Sequence, residues 1–127
     1  MLARVRSAAL LGVSAVGVDV EVDVANGGIP GVALVGLATG AVQEATVRVA
    51  AAIRNLGLSL PQRRVTVNLA PADLRKEGTA LDLPIAAALL TAFGAIPSGA
   101  LEGWWLAGEL SLSGELRPVR GVLPLAM

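Results

Sequence analysis

The sequence predicts an α/β (α+β) domain, a mixed sheet with packed helices, and three stretches carry that prediction. Val16, Val18, Val20, Val22 and Val24 alternate with Gly17, Asp19, Glu21 and Asp23, the period of a strand with one face buried. Ala41–Leu56 places Val42, Ala45, Val49, Ala52, Ile53 and Leu56 on one helical face. Val65, Val67 and Leu69 alternate with Thr66 and Asn68, and after a polar turn Leu83–Phe93 runs uncharged as a buried helix.

The remaining elements fall between these. Arg4–Leu11 reads as the first strand. The glycines and proline of Asn26–Gly31 form a turn, and the apolar run Val32–Leu37 makes a short strand after it. Gly57 is placed to close the first helix as its C′ residue. Pro71 ends the Val65–Leu69 strand because it has no N–H to donate. Asp82 is expected to cap the second helix, Pro84 to sit in its first turn and Gly94 to end it. Trp104–Leu112 and Glu115–Val119 read as a hairpin turning at Ser113-Gly114. The apolar run Val122–Met127 reaches the last residue without a visible stop, so an excised domain is expected.

Composition narrows the function. With 127 residues, 54% hydrophobic and 16% charged, the chain can build one sizeable core. Aromatics are Phe93, Trp104 and Trp105 alone, so that core is aliphatic. Ten basic and ten acidic side chains cancel, and nine of the ten cations are Arg. The absence of Cys excludes a disulfide framework and a thiolate site, and it fits a cytoplasmic location. The absence of His excludes a Ser-His-Asp triad. Arg4 and Arg6 precede the apolar Ala8–Val18 as in a signal peptide, but that run continues into a strand with no cleavage site. Ala25–Gln43 and Leu83–Leu101 are long and uncharged, yet Gly and Pro interrupt both, so no membrane partner is expected.

Chemistry concentrates in Asn68–Gly78, where a buried strand meets four charges in five residues: Asp73, Arg75, Lys76 and Glu77. Arg63, Arg64, Arg75 and Lys76 form the local excess of positive charge. They lie at the two ends of one strand, as two clusters, and are candidates for neutralising DNA phosphates. Pairing with Asp73, Glu77 or a neighbouring subunit is the alternative. Asp19, Glu21 and Asp23 share one strand face, where a solvated sheet surface is favoured over a cation site. Gly36–Gly40 precedes a helix but lacks the GxxxxGK[ST] of a P-loop.

Three blocks carry a family resemblance. They are Asn68–Gly78, the helix start Leu81-Asp82-Leu83-Pro84-Ile85-Ala86, and Gly108–Pro124. Together with Ala3–Leu11 and Pro30–Leu37 they resemble the N-terminal domain of the YifB/ComM family, the bacterial Mg-chelatase-like AAA+ ATPases. The resemblance covers nearly the whole chain. One departure is Ala38-Thr39, where the family often has Pro-Asp.

The resemblance implies a ribosomal S5 domain 2-like fold, similar to the proteolytic domain of Lon, which uses a Ser nucleophile and a Lys base. It places the nucleophile's position at Ala80 and the lysine's at Leu123. Neither side chain can act, and Thr79 sits one residue away with no nearby Lys at Leu123, so the peptidase is expected to be dead. A downstream ATPase domain binding ATP and Mg²⁺ is implied for the parent protein. The parent is implied to be a hexameric, homo-oligomeric DNA motor in recombination or natural transformation. This domain is then a non-catalytic module for ring assembly and DNA contact. A protein-interaction domain using the old peptidase cleft is the alternative, and an active Ser-Lys-type peptidase is a third.

Overall fold

A computed structural model describes residues 2–11, 14–36, 38, 40–59, 62–72, 76 and 79–117 of the chain. Four strands form one sheet: β1 (Leu2–Leu11), β2 (Ser14–Val24), β3 (Gly31–Val35) and β4 (Arg64–Ala70). Their order is β1-β2-β4-β3, with β1/β2 and β2/β4 antiparallel and β3/β4 parallel. The sheet is therefore mixed, as the sequence predicts. A parallel neighbour needs a crossover, and α1 (Ala45–Asn55) supplies it between β3 and β4.

Register follows from the valine alternation. Val5 faces Val20, Val20 faces Leu69, and Val22 faces Val67, so one face of three strands is aliphatic and fully buried. Each such side chain contributes about 1.5–3 kcal/mol on burial. The other face carries Arg4, Arg6, Asp19, Glu21 and Asn68.

On the aliphatic face lies α2 (Asp82–Ala92). It packs over β1 and β2 on one side and against α1 on the other. A helix covered on both sides needs no polar stripe, which is why its residues are almost all apolar. Both helices end in a Schellman pattern. Gly57 and Gly94 each have φ +84°, and Leu58 and Ala95 donate back to the carbonyls of Ile53 and Leu90 at 3.1 and 2.8 Å.

Several boundaries differ from the sequence reading. The Ala41–Leu56 segment divides into a 3-10 turn, Gly40–Val42, and α1, which begins at Ala45. Val42 is still buried, but Leu56 lies past the last helical turn and is exposed. The β3 strand stops at Val35, and the next residue is Gly36, with φ +109°, where a Cβ would run into the backbone of Leu69. The hairpin shrinks to β5 (Glu109–Leu110) and β6 (Leu116–Arg117), around the turn at Ser113-Gly114. Trp105, expected in that hairpin, bridges β1 at Arg6 instead. Leu37, Pro118 and Val119 lie outside the described residues.

Candidate functional site

The start of α2 is the most constrained polar point of the fold. Three main-chain bonds hold it: Gly108 donates to the carbonyl of Ala80 at 2.7 Å, Leu83 donates to Gly108 at 3.0 Å, and Asp82 donates to Thr79 at 3.2 Å. Gly108 suits this close approach, since a Cβ there would stand 3.1 Å from Leu116 Cδ2 and 3.4 Å from Leu83 Cβ.

Asp82 does not cap α2, contrary to the sequence expectation. Leu81 occupies the N-cap and makes no side-chain cap bond. The Asp82 side chain is 0% exposed and accepts a two-pronged contact from Arg48, Nε to Oδ2 at 2.7 Å and an Nη to Oδ1 at 2.9 Å. Leu110 N–H adds a third bond to Oδ2 at 3.1 Å. A buried carboxylate is tolerated only when paired, and the planar guanidinium satisfies both oxygens at once. The bond to Asp82 raises the Arg48 pKa from its ordinary value, followed by an opposing effect of desolvation. One ion pair thus joins α1, α2 and β5.

The sequence carries a signal for this pair. Arg48 is a cation among the apolar neighbours Ala45, Val49 and Ala52, and Asp82 is the single charge of α2.

The candidate cations separate sharply. Lys76 is fully buried, and its ammonium donates to the carbonyl of Pro71. It also bridges Ala38 in parallel. Arg63 and Arg64 stand exposed at the far end of β4, with no ion pair among the described residues. Arg63 lies in the bend before β4 and Arg64 is the first residue of that strand, and the two side chains have different neighbours. Arg63 turns to the helix side, beside Val65, Leu89 and Phe93. The open-face side carries Arg64, which packs beside Gly28. Arg75 and Leu123 lie outside the described residues. Ala80 is half-buried, and its carbonyl is spent on Gly108.

On the open face the carboxylates are engaged in pairs. Arg4 reaches Glu21 at 2.7 Å and Asn68 donates to Glu21 at 3.0 Å. The Arg4 bond, then the Asn68 bond, hold the Glu21 carboxyl below its usual range. Arg6 sits 3.5 Å from Asp19 and 4.5 Å over the ring of Trp105. The described residues hold no group of three His, Cys, Asp or Glu able to bind a metal ion. Among them, too, no helix is long and apolar enough to cross a membrane.

This frame can be set beside known proteins. Residues 20–127 match the family model of subunit ChlI of Mg-chelatase, from β2 through both partners of the Arg48–Asp82 pair. The chain is 48% identical to YifB of Salmonella typhimurium over 125 residues, 98% of this chain and 24% of that protein. It is 47% identical over 123 residues to the competence protein ComM of Haemophilus influenzae, covering 97% of this chain and 24% of that protein. The chain belongs to the Mg-chelatase-like YifB/ComM family. An uncharacterised protein of Mycobacterium tuberculosis is 47% identical over 126 residues, 99% of this chain and 25% of its own length. The chain therefore spans about a quarter of the length of these YifB/ComM relatives. Within this YifB/ComM domain, the described residues bring together a buried clamp at α2 and leave Arg63 and Arg64 in solvent.

Proposed function

We propose that this chain is the non-catalytic, Lon-like N-terminal domain of a Mg-chelatase-like AAA+ ATPase. Its parent works as an ATP- and Mg²⁺-dependent DNA motor in recombination or natural transformation. The observation that carries the non-catalytic role is at Ala80, the position the resemblance gives to the nucleophile. Its side chain is a methyl group, and the main chain around it is tied to Gly108. The bonds of Asp82 to Arg48 and Leu110 occupy both of its carboxylate oxygens as acceptors. This arrangement suits holding a shape better than taking a proton. The name of the ComM relative, a competence protein, supports the place in transformation.

In this reading the domain helps build the ring and holds DNA through Arg64 at the start of β4. Exposed Leu56 and Leu112 supply an apolar subunit contact beside the bond from Asn55 to the Leu112 carbonyl at 2.7 Å. Arg64 touches phosphate from the open face. The test is DNA affinity of the chain against salt, with Arg64→Glu beside the parent sequence. Loss of several-fold affinity, and a salt slope shallower by about 1, supports phosphate contact. Unchanged affinity removes DNA from this surface. A labelled casein digest run alongside is expected to show no cleavage.

A further inference from the structure

The two edges of the four-stranded sheet are treated differently. The β1 edge is met at Arg6: Leu106 donates to its carbonyl at 2.9 Å, and Trp105 bridges the same residue. Along β3 no described residue pairs with the outer edge. Gly31 N–H donates inward to the carbonyl of Arg63 at 3.3 Å. By alternation the N–H and C=O groups of Val32 and Leu34 therefore point away from β4. Open edges are ordinarily blunted by charge, proline or a bulge. The β3 strand is five residues long and carries no charge and no proline.

The helix layer also stops short of this edge. Because α2 packs over β1 and β2, Val32 is left 48% exposed. A groove of about 180 Å³ opens beside it, floored by Val65, Leu89 and Phe93, with Arg63 at its rim. That is smaller than the roughly 300–1,000 Å³ of small-molecule sites. It suits one branched apolar side chain. Residues 28–35 and 62–65 contain two arginines and no carboxylate.

We infer that the β3 edge is a strand-addition site for an extended segment of a partner protein that presents an apolar and an acidic residue, two positions apart, on one face. Outward amides of Val32 and Leu34 supply the ladder, the groove takes one apolar side chain, and Arg63 on the same face pairs with the acidic side chain two positions along. Charge complementarity selects this partner, since the rim is cationic and the edge itself is uncharged. DNA has no use for an apolar groove. The inference goes beyond the DNA reading and uses different groups: that reading needs Arg64, this one needs Arg63 and the edge.

The test uses the whole chain and a fluorescein-labelled octapeptide with valine and glutamate alternating along one face and threonine along the other, followed by anisotropy. Controls are the lysine counterpart and the glutamate peptide N-methylated on alternate amides. The glutamate peptide is expected to bind, and both controls to lose at least tenfold in affinity. Arg63→Glu is expected to weaken binding tenfold or more. Val32→Pro removes one outward N–H at a solvent-facing edge and is expected to weaken it comparably. Far-UV circular dichroism checks that Val32→Pro folds, and Arg63→Glu decides the matter if it does not. No binding, equal binding of the lysine peptide, or indifference to Arg63→Glu overturns the inference. Displacement of the peptide by a DNA oligomer, with DNA binding lost in Arg63→Glu, assigns the groove to DNA instead. A dimer of the chain that Val32→Pro dissolves, seen by sedimentation, assigns the edge to a second copy.

Discussion

Arg48 on α1 and Asp82 on α2 are 34 residues apart in sequence and form a two-pronged ion pair at 2.7 and 2.9 Å, with the carboxylate sealed from solvent. The pair fixes how α1 lies on α2, and Leu110 brings the hairpin to the same carboxylate.

Removing one partner of this pair strands the other. Arg48→Met leaves a buried carboxylate without its counter-charge and is expected to cost about 3–5 kcal/mol in urea unfolding. Replacing both, as Arg48→Met with Asp82→Leu, is expected to recover most of that loss. The residue of the cost is the Leu110 N–H left without an acceptor, about 1–3 kcal/mol. A double variant as unstable as the single one would falsify the view that the stranded charge is the dominant cost.

Gly36 is a second point where one atom decides the fold. A Cβ there would come 2.2 Å from the carbonyl oxygen of Leu69, at a φ of +109°. Gly36→Ala is expected to lower stability by more than about 2 kcal/mol, through backbone strain and displacement of β4. A thermal midpoint within a degree of the parent's contradicts this packing.

The hydroxyl of Ser7 is buried in β1 with no hydrogen-bond partner among the described residues. Burying an unpaired hydroxyl costs about 1–3 kcal/mol. Ser7→Ala is accordingly expected to raise the unfolding free energy by about 1 kcal/mol. A loss of stability on this substitution means that the hydroxyl is bonded in solution.

Acid weakens the open face. The folded carboxyl of Glu21 titrates below its ordinary value of 4.5 because Arg4 and Asn68 bond to its charged form. Its contribution is complete above the unfolded pKa and disappears as pH falls through the lower, folded one. Glu21 is partly exposed, so Glu21→Gln is expected to lose only about 0.2–1 kcal/mol at pH 7. Unfolding curves of the two proteins should converge as the pH drops below 4.5. A gap that stays constant through that range assigns the effect to packing instead of charge.

Much of the fold was legible because its signals are local. The valine period of β2 and β4, the glycine stops at Gly57 and Gly94, and the turn at Ser113-Gly114 each depend on neighbours in sequence. Helix starts were less legible. Gly40–Val42 and Ala45–Asn55 carry one continuous apolar stripe, and nothing local marks the break between them. At the candidate site, the charged turn drew attention to Lys76, which the fold turns inward. The sequence offers Asp82 as a cap and gives Arg48 no role, because their meeting is long-range.

By itself the sequence determined the alternation that builds a mixed sheet, the aliphatic character of the core and membership of the YifB/ComM family. These are properties of residue identity and short spacing, and no partner is needed to define them. Tertiary structure alone decided which of the described charges are buried, that Trp105 and Leu106 meet the β1 edge at Arg6, and that Arg63 and Arg64 take different neighbours. Burial and pairing depend on what a distant segment brings to within a few ångströms, and only the folded chain specifies that.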